Sequence, residues 1–198
     1  MRSLRHNFLL PALAASLVLA APAGAATGSS WKEVPIAHAS ASAKCPDTDK
    51  RPGEASEYAL AKSAVCLINK QRARRGMRRL RLNTRLSEAA RRHTIDMVKR
   101  NYFDHVSQSG TDIVDRLTRT GYMRGARSWT VGENLAWGSG TRSTPREILV
   151  AWMNSPGHRA NILQRRFREI GIGVVFEAPH DTAGATAATY TTTFGARR

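Results

Sequence analysis

The stretch WMNSPGHRANIL, residues 152–163, places a histidine directly behind a Ser-Pro-Gly turn, where it could take part in chemistry. Ser155 is a typical N-cap residue, and Pro156 is a typical first residue of a helix. His158 is then the third residue of that helix, close to the positive end of the helix dipole. This position disfavours the imidazolium form, so we expect a neutral ring that can accept a hydrogen bond or bind a cation. The same pattern predicts that the Ser155 side chain caps the helix.

Two other polar residues are weaker candidates for chemistry. Ser107 follows His105 by two positions. A serine nucleophile also needs a base in hydrogen-bond reach and an oxyanion hole, and the sequence identifies no oxyanion hole. We therefore do not expect serine catalysis. His93 lies on the apolar face of a predicted helix, where we expect it to be part of the core.

The first residues of the chain are typical of an export signal. Two arginines precede the apolar segment FLLPALAASLVLAA, which is short for a transmembrane helix, and the small residues AGA follow at 23–25. We expect residues 1–26 to be a signal peptide, residues 27–55 a flexible leader and residues 56–198 the folded domain. A retained signal anchor is the alternative. No later stretch is apolar enough to span a membrane, so we expect the mature protein to be secreted.

The chain has two cysteines, Cys45 and Cys66, which an exported protein can oxidise. A bridge between them would close a loop of roughly 20 residues and stabilise the fold by on the order of 3 kcal/mol. Their spacing, without histidines nearby, does not match a zinc site. The sequence therefore predicts a disulfide that fastens the end of the leader to the first helix of the domain.

Helical periodicity dominates the chain from residue 56 onwards. Ser56 is suited to cap the first helix, and Gly76 is suited to end it after a basic last turn. Thr144 as N-cap and Pro145 at the first position open a later helix in the same way. The helices are predicted over residues 56–76, 84–101 and 112–121, and from Thr144 through Trp152.

Runs of β-branched residues of strand length fill the last third of the chain. EIGIGVVFEA and ATAATYTTTFGA are separated by the turn-rich PHDTAG and predict an antiparallel hairpin. WTVGENLAWG has strand-like residues on both sides of Gly-Glu-Asn. This order of helices and strands predicts an α+β fold, with helices packed on a small antiparallel sheet.

The chain is strongly basic. Its formal charge is +16, and loss of the predicted signal peptide with its two arginines leaves +14. Such a field attracts polyanions. For an exported protein we favour anionic envelope polymers or lipids over nucleic acid as partners. An arginine-rich composition without any specific partner is the alternative.

Four motifs occur along the chain in the order YFDHVSQSG, VGENLAWG, WMNSPGHRANIL and FREIGIGVVF, and they are specific as a set. Together they resemble the CAP superfamily, which takes in cysteine-rich secretory proteins, venom antigens and plant pathogenesis-related proteins. The chain resembles the bacterial exported branch, and the resemblance covers residues 56–196. It implies a three-layer α-β-α sandwich of the CAP (SCP) type, with a small antiparallel sheet flanked by helices. That fold agrees with the order of elements.

The resemblance also implies a cleft lined by two histidines and two glutamates. Three of these positions fall on His105, Glu133 and His158. The fourth falls on Ser155, where a glutamate is expected. Glu147, in the predicted helix that contains Trp152, is a residue that could substitute for it.

The implied cleft residues have two interpretations. Two imidazoles and a carboxylate can hold a divalent metal such as Zn²⁺, so the resemblance implies a metal site at His105, Glu133 and His158. In the structural alternative, His105 and Glu133 satisfy backbone groups of their own segments, and His158 pairs with Glu133 across the cleft.

The function predicted from these features is a secreted binding module without turnover, acting through the implied cleft and a basic surface on a lipid, an envelope polymer or a protein. The alternative is a divalent-metal-dependent hydrolase using His105, Glu133 and His158. Ser155 weighs against the hydrolase because it removes one of the acidic groups of the cleft. The sequence does not decide the oligomeric state.

Overall fold

The computed structural model describes residues 44–198. The predicted signal peptide and residues 27–43 of the predicted leader lie outside the described residues, so both stay predictions. Within residues 44–198, no helix is long and apolar enough to cross a membrane.

The described residues form five α-helices: α1 (Glu57–Ala73), α2 (Thr84–Lys99), α3 (Ile113–Arg119), α4 (Pro145–Asn154) and α5 (Pro156–Ile162). The predicted caps of two helices are confirmed. The Ser56 hydroxyl accepts a hydrogen bond from the Ala59 N–H at 3.2 Å, and the Thr144 hydroxyl accepts one from the Glu147 N–H at 3.3 Å. Helix α2 ends two residues earlier than predicted, because Asn101 adopts a left-handed backbone with φ of 54°.

Four strands form one sheet: β1 (Arg81–Leu82), β2 (Trp129–Ser139), β3 (Glu169–Val175) and β4 (Ala187–Arg197). Their order across the sheet is β1-β3-β4-β2. Strand β4 pairs antiparallel with both β3 and β2, which confirms the predicted hairpin. Strand β1, predicted only as a connection, adds a short parallel pair in which Arg81 lies opposite Glu169.

The two faces of β3 show why the fold has three layers. Ile170, Ile172 and Val174 lie in the main hydrophobic core together with residues of α1 and α4. The alternate positions are glycines that face α2. A Cβ built at Gly171 would lie 2.0 Å from the backbone carbonyl carbon of Leu86, and one at Gly173 would also be obstructed by α2 backbone. Helices therefore cover both faces, and the α-β-α sandwich is confirmed.

Residues 44–49 pack against the helices rather than extending away from them. The predicted disulfide is confirmed, since Cys45 and Cys66 are joined with their Cα atoms 5.7 Å apart. The Asp49 carboxylate accepts two hydrogen bonds from the guanidinium of Arg146, at 2.5 and 2.9 Å. The segment is thus tied to α1 by a covalent bond and to the start of α4 by an ion pair.

Candidate functional site

Glu133 is at the centre of the candidate site. It lies in the middle of β2, and its side chain is only 4% exposed. The loop after α2 brings His105 to it, with Nδ1 2.9 Å from Oε1. The structure therefore brings together two of the predicted cleft residues that are 28 positions apart in the chain.

The second partner of Glu133 is Arg116, which the sequence analysis did not identify. Arg116 lies in α3, is buried, and places Nη2 3.0 Å from Oε1 and 2.9 Å from Oε2 of Glu133. The same guanidinium donates to the backbone carbonyls of His105 and Thr111, each at 3.0 Å. It therefore fixes the loop as well as the carboxylate. One sequence signal was available: Arg116 follows Ile113 by three positions, so it lies on the apolar side of the helix.

The hydrogen bond to Glu133 controls the charge of His105. That bond raises the pKa of His105 above its ordinary value, while partial burial acts in the opposite direction. The His105 side chain is 55% exposed, so it combines a buried anionic partner with access to solvent. His105 consequently favours the imidazolium form more than a free histidine does.

His158 has the opposite tendency. It is the third residue of α5, as predicted, and its pKa is lowered by burial and then by the positive charge of His105. Two side-chain amides fix its helix to β2. The Asn134 amide donates to the carbonyl of His158, and the Asn161 amide donates to the carbonyl of Glu133, both at 3.0 Å. The neutral ring expected from the sequence thus agrees in direction with the structure, although the causes are burial and His105.

Ser155 and Glu147 do not join this network. Ser155 has the extended backbone of an N-cap residue, but its hydroxyl makes no capping hydrogen bond to α5. The prediction that the Ser155 side chain caps the helix is therefore wrong. Glu147 is exposed in the first turn of α4, and within residues 44–198 no hydrogen bond or ion pair links it to His105 or His158.

The two weaker candidates have structural roles. The Ser107 hydroxyl accepts a hydrogen bond from the Thr111 N–H at 3.0 Å and contacts the Ser109 hydroxyl, not the imidazole of His105. His93 is 2% exposed, and its Nε2 lies 2.9 Å from the carbonyl oxygen of Asp104. The expectation that His93 is a core residue is confirmed.

The residues of the candidate site are a poor fit to the implied metal. Both carboxylate oxygens of Glu133 already lie within 3.0 Å of the Arg116 guanidinium. A cation bound to Glu133 would meet this positive charge at the same oxygens. Glu133 therefore does not fit the role of a metal ligand in this arrangement.

The fold and the site together define a class of protein. The three-layer sandwich is the fold that the resemblance to SCP domains implied, and it brings the loop histidine and the glutamate of the Gly-Glu-Asn strand together, two of the residues expected in the cleft. The sequence profile described as the cysteine-rich secretory protein family (CAP) matches residues 65–192. The chain belongs to this family.

Two curated relatives come from Bacillus subtilis. The chain is 39% identical to the protein YkwD over 128 residues, which are 65% of this chain and 46% of YkwD. It is 32% identical to the membrane protein YlbC over 113 residues, which are 57% of this chain and 31% of YlbC. The chain therefore spans less than half the length of either relative.

Two solved structures share the fold. An extracellular protein containing an SCP domain from Bacillus anthracis has a TM-score of 0.57 and 30% identity, over 70% of this chain and 40% of that protein. An outer surface protein from Borrelia burgdorferi has a TM-score of 0.59 over 73% of this chain and 97% of that protein. At 19% identity, the second likeness concerns the fold alone.

Proposed function

We propose that this chain is a secreted CAP-domain protein that binds its ligand without turnover, through the surface around His105 and His158 and through its basic exterior. The observation that carries this proposal is the contact of Arg116 with both oxygens of Glu133. Secretion is supported by the predicted signal peptide, by the disulfide and by the extracellular relative from Bacillus anthracis.

The contacts of Glu133 make it an orienting group and not a reacting one. A general base needs a lone pair that can reach substrate, and a metal ligand needs one that can reach the ion. The carboxylate of Glu133 instead accepts three hydrogen bonds from protein donors and is 4% exposed. Its effect is to hold His105 at Nδ1, which leaves Nε2 on the partly exposed ring for a ligand.

The two histidines then offer complementary groups. The raised pKa of His105 favours a cationic N–H donor, and the lowered pKa of His158 favours a neutral ring with an acceptor nitrogen. A ligand with an anionic or carbonyl oxygen and a nearby hydroxyl would match this pair. The +14 charge expected for the mature chain favours anionic envelope polymers or lipids as the source of such groups.

The second candidate function is a divalent-metal-dependent hydrolase using His105, Glu133 and His158. The Arg116 contact weighs against it, because the carboxylate would have to leave a buried guanidinium to serve as ligand or base. We therefore rank it below the binding function.

The test compares the mature protein with a His105→Ala/His158→Ala variant in cosedimentation with vesicles of phosphatidylglycerol and phosphatidylcholine. We expect binding to weaken from low to moderate salt and to weaken further in the double variant. His180→Ala is the matched control, since His180 is an exposed histidine outside the network. Vesicle binding that changes neither with salt nor with the double substitution would overturn the proposal. One equivalent of Zn²⁺ in the isolated protein, lost in the double variant, would favour the hydrolase instead.

A further inference from the structure

A polar cavity lies between α2, the loop that precedes α3, and α3 itself. Its volume is about 210 Å³. The lining includes hydroxyls of the loop, two of which belong to buried residues, Ser107 and Thr111. Arginines from both helices also line it, and one of them is Arg116, the partner of Glu133. The cavity needs neither His105 nor His158 for its lining, so it is separate from the proposed binding surface.

The hydroxyl groups of Ser107, Ser109 and Thr111 carry more hydrogens than there are protein acceptors to receive them. The Ser109 hydroxyl lies 2.9 Å from that of Ser107 and 3.1 Å from that of Thr111. These two contacts use two of the three hydroxyl hydrogens. Within residues 44–198, no carbonyl or carboxylate accepts from any of the three hydroxyls. One O–H is therefore left to donate into the cavity.

The charges around the cavity leave one cation in excess. Glu88 and Asp96 each have their own arginine, Arg92 at 2.6 Å and Arg100 at 2.8 Å, and Glu133 has Arg116. Burial lowers the pKa of His93, which favours its neutral form.

Arg119 is the lining cation that lacks an acidic partner. In the described part of the chain no carboxylate lies within ion-pair distance of its guanidinium, whose Nη2 donates to the Thr111 hydroxyl at 3.4 Å. The Nε of Arg116 likewise has no protein acceptor among residues 44–198. The lining of the cavity thus includes the exposed guanidinium of Arg119, which has no carboxylate partner among residues 44–198, and three hydroxyls with one hydrogen that no protein acceptor takes.

We propose that this cavity binds a tetrahedral oxyanion, such as a phosphate or sulfate group. Such a group has three or four acceptor oxygens close together, which suits the hydroxyl and guanidinium donors of the lining, and it carries the negative charge that would pair with Arg119. A volume of about 210 Å³ accommodates one such group with part of whatever it is attached to. Free phosphate and the phosphodiester of a lipid headgroup share this chemistry.

The test is a titration of the mature, isotope-labelled protein with inorganic phosphate at constant ionic strength, followed by amide chemical shifts. We expect saturable shifts in residues 107–111. Arg119→Ala should weaken binding by about tenfold or more, since it removes a charge-assisted hydrogen bond.

Arg124→Ala is the matched control, since Arg124 is an exposed arginine that does not line the cavity. It changes the net charge equally and should leave the phosphate affinity unchanged. The proposal is overturned if no saturable shift occurs, or if Arg124→Ala weakens binding as much as Arg119→Ala does. The His105→Ala/His158→Ala variant should keep its phosphate affinity, so failure of the proposed function would not remove this site.

A second arm identifies the source of the oxyanion. The same two arginine variants are compared in binding to phosphatidylglycerol vesicles. A larger loss for Arg119→Ala than for Arg124→Ala assigns the cavity to a membrane phosphodiester. If the two variants bind vesicles equally and only Arg119→Ala loses affinity for inorganic phosphate, the cavity is assigned to free phosphate.

Discussion

Glu133 and Arg116 form an ion pair with side-chain exposures of 4% and 8%. Removing water from both charges is costly, and their attraction offsets this cost only while both partners are present. The additional bonds from Arg116 to the carbonyls of His105 and Thr111 satisfy most of its donors. The pair is therefore a fixed element of the site, and its two members depend on one another.

Replacing Glu133 by Gln should destabilise the protein by about 3 kcal/mol or more, because it leaves the Arg116 guanidinium buried without a counter-charge. Arg116→Met should have a comparable cost for the converse reason. In the double variant neither charge remains, so the loss should be smaller than the sum of the two single losses. Urea denaturation of the four proteins measures this coupling. Additive losses would show that the two side chains do not depend on each other.

The pKa of His105 predicts a specific dependence of stability on pH. Since Glu133 raises the pKa of His105 in the folded state, protonated His105 stabilises the fold below the ordinary pKa of histidine. This contribution is lost as pH rises through the raised pKa. The difference in unfolding free energy between the wild type and His105→Gln should therefore be largest in mild acid and shrink at alkaline pH. A difference that grows with pH would contradict the assignment.

His158 should respond in the opposite direction. Its lowered pKa means that the unfolded chain takes up the proton more readily, so this residue costs stability as pH falls through the ordinary pKa of histidine. Because the charge of His105 is one of the two causes, His105→Gln should raise the pKa of His158. Burial should still hold it below its ordinary value. NMR titration of the imidazole of His158 in both proteins makes the comparison, and an unchanged pKa would place the two rings too far apart to interact.

At the scale of elements, the sequence predicts what is encoded locally. Ser56 and Thr144 precede helical periodicity directly, so two helix starts follow from neighbouring residues. Strand β1 could not be predicted in this way, because its two residues pair with a strand that begins at Glu169. Arg116 was missed for the same reason, since its carboxylate partner lies on another element. Pairings between distant segments depend on the assembled fold.

The two serines at helix starts provide a test of capping. Ser56→Ala should cost about 1 kcal/mol, since it removes a hydroxyl that accepts the Ala59 N–H. Ser155→Ala should cost no more than a few tenths of a kcal/mol, since the Ser155 hydroxyl makes no capping bond. Thermal and urea unfolding of both variants give the comparison. Equal losses would mean that Ser155 caps α5 in solution, as its sequence context first suggested.

At the scale of the whole molecule, contacts between distant segments hold the layers together. The four ordered motifs predicted the layers of the fold, because they indicated the family and not because their local patterns define a sandwich. The alternation of residues in β3 gives the physical reason for the layers. Its apolar residues pack in the core with α1, and its glycines leave room for the close approach of α2. The segment from Cys45 to Asp49 lies outside these layers and depends on a few contacts with them.

Removing the disulfide is the test of those contacts. The bridge spans a sequence separation of 21 residues. Cys45→Ala/Cys66→Ala should lower the unfolding free energy by on the order of 3 kcal/mol, because loss of the closed loop raises the conformational entropy of the unfolded chain. Asp49→Asn is the control: it removes the charge of the exposed ion pair with Arg146 and leaves an amide oxygen that can still accept from the Thr48 hydroxyl, so its cost should be about 1 kcal/mol or less. Urea unfolding measures both, and thiol labelling of the native wild type should detect no free thiol. Equal stabilities of the double-alanine variant and the wild type would mean that the ion pair and packing already hold residues 45–49 in place, and that the covalent bond adds nothing.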